Sequence, residues 1–142
     1  MWWGARAVVV LGLLFLSGCA QQNELPPQAA GDWVLSSATR SGVAPSSAWG
    51  RIDPAITLSI SGNSLVGNAG CNTYSLGDSS GSLTLPLTNI VATRMACKAA
   101  SVMERESTYL DILSRVDTVS VSDNELVMRD ADAELRFRRV TP

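Results

Sequence analysis

The sequence predicts a mainly β domain, an antiparallel meander of six to eight strands interrupted by one helix. Three observations predict it. Apolar and polar residues alternate at Ile56, Leu58 and Ile60, at Leu83, Leu85 and Leu87, and again at Val119–Val121 and Leu135–Phe137. That period of two marks half-buried strands. From residue 99 to 113 the period becomes helical, with Ala99, Val102, Met103, Glu106, Tyr109, Leu110 and Leu113 on one face. Turn-forming clusters, Ser61-Gly62-Asn63, Asp123-Asn124 and Asp130-Ala131-Asp132, separate the runs.

The chain opens with a single basic residue, Arg6, and an apolar run from Ala7 to Leu16, followed by Ser17-Gly18-Cys19. A basic start, a short apolar core and small residues before a break define a secretory signal. Ten apolar residues are half of the about 20 that a membrane span needs. Leu16-Ser17-Gly18-Cys19 resembles the bacterial lipoprotein signal, which implies cleavage before Cys19 and lipidation of its thiol. Two or more acyl chains make a stable anchor. Ala20, in place of an aspartate, points to the outer membrane by the enterobacterial sorting rule. Loss of residues 1–18 leaves 124 of the 142 residues, enough for one domain. Residues 19–31, with Pro26-Pro27 in the middle, read as a tether, and the domain is expected over 32–142.

Trp33 to Thr39 is the first expected strand, with an aromatic to bury. The Gly-, Ser- and Pro-rich loop from Ser41 to Asp53 carries Trp49, expected as a lid over one end of the core, the alternative being an exposed contact. A hairpin joins the Ile56–Ile60 strand to Ser64–Asn68, and Gly67 and Gly70 mark a bulge or a close backbone approach. After the loop from Leu76 to Ser82, Leu83–Leu87 is expected as a strand, with Pro86 consigning it to an edge. The helix follows, and three short strands close the chain.

Two short stretches carry most of the chemistry: Gly70-Cys71-Asn72-Thr73-Tyr74 and Thr93-Arg94-Met95-Ala96-Cys97. In an oxidising compartment Cys71 and Cys97 pair as a disulfide, the alternative being two buried thiols acting as small hydrophobes. Asn72 and Thr73 are placed to bond backbone at a tight turn. Glu106, on the apolar stripe of the helix, needs a partner, and Arg94 is the expected one; the alternative leaves Glu106 solvated at the rim. Arg136, Arg138 and Arg139 form a terminal basic patch, solvated or facing anionic lipid.

Several function classes fall away. The chain has no histidine, which removes Ser-His-Asp and Cys-His catalysis and most transition-metal sites. The mature part holds ten basic against thirteen acidic residues, so nothing attracts nucleic acid. Asp130 and Asp132 lack calcium-loop spacing. Lys98, the sole lysine, is the one base left for a serine enzyme. The chain is therefore expected to be non-enzymatic and without cofactor or metal, and it is read as a monomer.

The ordered set GCNTY, TRMAC, Met103…Glu106…Tyr109-Leu110 and a closing Leu126…Phe137 hairpin, after an opening Trp33-Val34-Leu35, resembles the META domain, the HslJ-like heat-shock family. The likeness runs from about Asp32 to Val140. It implies a partly open roll or barrel of antiparallel strands with one packed helix. Gly70, Asn72, Thr73, Arg94, Met95 and Glu106, which lie in these motifs, are expected to form a structural motif. Relatives are linked with motility, stress response, novobiocin resistance and, in trypanosomatid parasites, virulence, and many are envelope lipoproteins. No activity or catalytic residue comes with the family. Lys98-Ala99-Ala100 departs from it, since many relatives start the helix with proline. The expected function is an interaction or envelope-stress module on a lipid anchor; the alternative is a carrier of a small apolar ligand. A carrier needs an open apolar cavity inside the roll, whereas an interaction module has a filled core and an exposed patch.

Overall fold

The computed structural model describes residue 1 and residues 24–42, 53–76 and 83–140. Residues 2–23 of the leader and tether, Cys19 and Ala20 among them, and Trp49 lie outside the described residues. Eight strands and one helix follow in the order β1 (Gly31–Arg40), β2 (Thr57–Ser61), β3 (Ser64–Asn68), β4 (Thr73–Leu76), β5 (Ile90–Ala92), α1 (Ala100–Arg115), β6 (Thr118–Val121), β7 (Glu125–Arg129) and β8 (Ala133–Arg139). They form one antiparallel sheet in the order β5-β4-β3-β2-β1-β8-β7-β6, curled into a half-barrel. The mainly β class with a single helix is borne out.

Alternation explains the two faces. Leu58 and Ile60, Leu65, Tyr74, Leu126 and Met128, and Leu135 and Phe137 are buried on the face that meets the helix. β1 joins the two halves of the sheet through Trp33 and Leu35, with a bulge between Leu35 and Ser37 against β8. The expected hairpin holds: Ser61 pairs with Ser64, and Gly62 takes the positive φ of 56° that the turn requires.

The helix packs on β8 and buries Tyr109, Ile112 and Leu113, with Val116 at its end. Its buried stripe is turned from the expected one. Tyr109 and Leu113 keep their places, Ile112 and Val116 join them, and Met103 is 47% exposed. The C-terminal half of the helix meets the sheet, so burial is decided there. Rings stack edge-on in this core: Tyr109 lies 5.6 Å from Tyr74 and 6.3 Å from Phe137.

Residues 83–87 are not the strand expected of them. Leu83 and Leu87 are buried, but the backbone pairs only through an isolated bridge from Thr84 to Glu24. Pro86 has no N–H to give a ladder, and its carbonyl accepts from Thr88 N in a tight turn. The described part of the expected tether, from Glu24 on, belongs to the fold. Leu25 N donates to Leu83 O at 3.0 Å, and Ala29 is buried in a short 3-10 turn over Pro27–Ala29. Trp33 explains this docking: its Nε1 donates to Ala29 O at 2.9 Å.

The terminal basic patch is corrected as well. Arg136 bonds Glu125 across the β7–β8 ladder at 3.2 Å and also bonds Glu134, which is shared with Arg129. Hydrogen bonding to Arg129, and then to Arg136, holds the Glu134 carboxyl below its usual range. Arg139 has the parity of the buried residues and turns inward. Its guanidinium sits 4.0 Å from the Trp33 ring centroid and donates to the carbonyls of Gln28, Ala30 and Asp123. Of the three arginines only Arg136 makes an ion pair among the described residues, and Arg138 is exposed.

Candidate functional site

The two cysteine stretches meet at the N-terminal half of the helix. Cys71 and Cys97 are disulfide-bonded, with Cα atoms 6.0 Å apart, so the expected pairing is borne out. Gly70 turns the chain into this junction with a φ of 110°, and its N–H donates to Asn68 Oδ1 at 2.7 Å. That backbone conformation disfavours any side chain.

Asn72 is the hub. It is the one buried polar residue among those described, at 3% exposure. Its Nδ2 donates to Glu106 Oε1 at 2.6 Å and to Met95 O at 3.3 Å. Its Oδ1 accepts from Met95 N at 2.7 Å and from Thr93 Oγ1 at 2.9 Å. Both amide hydrogens and both carbonyl lone pairs are thus used, as burial demands. Met95 contributes its backbone alone, while its side chain is 58% exposed. Thr73 N donates to Thr93 Oγ1 at 3.2 Å, and the Thr73 side chain faces outward.

Glu106 is half-buried, and its partner is not Arg94. Oε2 accepts from Asn72 N at 2.8 Å and Cys71 N at 3.3 Å, and Oε1 accepts from the Asn72 amide. Two successive backbone N–H groups and a side-chain amide satisfy the carboxylate without a counter-ion. Arg94 is exposed and makes no ion pair among the described residues. An exposed guanidinium keeps its hydration, which a half-buried pairing would forfeit. Ligand atoms of Cys71, Cys97 and Glu106 lie within 4.8 Å of one another. Both sulfurs are spent in the disulfide and the carboxylate on three donors, so the arrangement is a structural junction.

Below it, Tyr74 Oη and Tyr109 Oη are 2.6 Å apart, and Tyr74 Oη donates to Thr57 O at 2.8 Å. Burial pushes both phenols well above their ordinary range. Gly67 makes room, since a Cβ there would overlap the Thr57 carbonyl and the Tyr74 hydroxyl.

On the opposite side of the sheet is a surface that the residue-type reading missed. The register runs Asp32–Ser59–Val66–Ser75–Val91 straight across β1 to β5, with Thr57–Asn68–Thr73 beside it. These residues, with Thr93 and Val140, line an open groove of about 800 Å³. Val66, Val91 and Val140 are 43%, 63% and 46% exposed. Among the described residues of the lining Asp32 is the sole charge, and it accepts from Ser59 Oγ at 2.7 Å. The groove is thus walled by methyls, hydroxyls and one amide.

Fold and site together define a curled antiparallel half-barrel whose single helix is pinned by a disulfide and an Asn–Glu hub. The chain belongs to the META domain family, whose model matches residues 26–141. Among solved structures it is similar to a protein from Burkholderia xenovorans determined by NMR. The two are 23% identical over the whole of both chains, with a TM-score of 0.54. A second NMR structure is 20% identical, covering 83% of this chain and 90% of that one, with a TM-score of 0.47. No curated protein matches.

Proposed function

We propose that this META domain is a non-enzymatic interaction module of the cell envelope, held by a lipid anchor on Cys19 at the periplasmic face of the outer membrane. One observation carries the reading. The space between sheet and helix is filled by Trp33, Tyr109, Phe137, Ile112, Leu113 and Leu135, each under 2% exposed, while the open groove lies outside. A filled interior and an exposed apolar surface suit a docking partner better than a cargo. The Asn72–Glu106 junction has all its polar atoms engaged, which suits a brace. An HslJ-like role in envelope stress or antibiotic resistance fits such a module, as does the leader that ends at Cys19.

Cross-linking in intact cells followed by capture of the full-length lipoprotein tests the proposal. The wild type should yield a discrete adduct that Val66→Asp, an exposed groove substitution, removes while the melting temperature stays put. An adduct that persists in Val66→Asp, or recovery of a lipid or small apolar molecule with no protein adduct, would overturn it.

A further inference from the structure

Strand β5 ends the sheet on the groove side, and its backbone is oriented to take another strand. Thr93 N donates to Thr73 O at 3.0 Å, and residues 73 and 93 lie in the register that pairs Ser75 with Val91. In an antiparallel ladder the bonded pairs alternate, so Val91 spends its N–H and C=O on β4. Ile90 and Ala92 therefore turn theirs away from the sheet. Neither makes another hydrogen bond among the described residues.

Natural edges are kept short or guarded by lysine, proline, bulges or a covering loop, and β5 has only the first of these among the described residues, spanning Ile90–Ala92. The stretch from Leu87 to Thr93 holds no charge and no proline. Val91, at 63% exposure, carries the groove out to this edge. The first charge is Arg94, exposed and without an ion pair among the described residues.

We propose that the β5 edge receives an extended peptide segment by antiparallel strand addition, with an acidic residue near the peptide's N-terminal end facing Arg94. This rests on the interaction reading above and names the partner's chemistry. The outward amides and carbonyls of Ile90 and Ala92 bind main chain, and alternate side chains lie over Val91 and the groove. Antiparallel pairing sets the N-terminal end of the peptide against the C-terminal end of β5, where Arg94 stands. A second copy of this chain fits less well: pairing about Val91 would put Arg94 opposite Thr88, with no counter-charge.

Main-chain bonds supply most of the affinity in this mode, so a generic alternating peptide suffices as the probe. The probe is acetyl-Asp-Thr-Val-Thr-Val-Thr-amide at millimolar concentration, read by NMR hydrogen exchange on the folded, disulfide-bonded domain. The Ile90 and Ala92 amides should exchange about fivefold or more slowly with peptide, while the β6 edge is unchanged. N-methylation of alternate peptide residues should abolish the effect in one frame and spare it in the other. Ala92→Pro removes an outward donor without touching the β4 ladder and should also abolish it. If that variant does not fold, Arg94→Glu serves: binding should fall several-fold at low salt and return with a Lys-first peptide. Absent protection, equal effects in both N-methyl frames, or protection that grows with protein concentration in peptide-free solution would each overturn the proposal. An in-cell adduct that survives Ala92→Pro would overturn strand addition and leave the interaction module standing.

Discussion

Replacing Asn72 by alanine should be among the most damaging single changes outside the apolar core. The side chain makes four hydrogen bonds, to Glu106 Oε1, Met95 O, Met95 N and Thr93 Oγ1. Three neutral bonds at about 1 kcal/mol each and one charged bond at about 2 give roughly 5 kcal/mol at most. Thr93 and Met95 are exposed, so water replaces part of what they lose. Glu106 is half-buried and is not so readily rehydrated. The expected loss is therefore about 3 kcal/mol, a large part of the 5–15 kcal/mol typical of a domain. Urea melts of the oxidised protein measure it. Arg94→Ala is the companion variant and should change stability by less than about 0.5 kcal/mol, as an exposed unpaired residue does. A loss under about 1 kcal/mol for Asn72→Ala, or a larger loss for Arg94→Ala, would refute the hub and restore an Arg94–Glu106 pairing.

Further outcomes follow from the same geometry. Cys71→Ala or Cys97→Ala opens a loop of 26 residues' separation and should cost about 3.5 kcal/mol in the chain-entropy model, read as a lower melting temperature. Two alkylatable thiols in the unreduced wild type would contradict the bond. Tyr74 and Tyr109 hold their protons more tightly folded than unfolded, so their contribution is full below pH about 10 and is lost as pH rises above it. Phenolate absorbance from these two rings should therefore appear only with unfolding; titration of both in the folded protein at pH about 10 would be the contrary result. Cys19→Ser should leave the leader uncut or remove the acyl mass, and mass spectrometry of the native protein would expose a cut elsewhere.

The strands that face both core and solvent were legible because their alternation is plain, as at Leu58–Ile60 and Leu135–Phe137. Residues 83–87 show the same alternation for a different reason: Leu83 and Leu87 plug the core from irregular backbone. Periodicity reports burial, and it reports a ladder only when neighbours are there to pair. The cysteine pairing was legible from compartment chemistry. The partner of Glu106 was not, because a search by charge overlooks backbone N–H groups, and these are invisible in residue types. Arg139 was misread by the same habit: its parity with Leu135 and Phe137 already turned it inward, toward Trp33. The groove did leave a trace. Its positions on β2 to β5 are threonine, serine, valine and asparagine, with none of the lysine or glutamate usual on a solvated strand face.

If the domain works through the outer face of its sheet, site-specific photo-cross-linking should find its partner there. A photoreactive residue is placed in the full-length protein at Val66 or Val91 in the groove, and separately at Met103 or Glu104 on the exposed side of the helix. All four positions are exposed, so the fold should tolerate each. Irradiation of intact cells should give a discrete protein adduct from the two groove positions and none from the helix. Adducts from the helix positions alone would contradict the account.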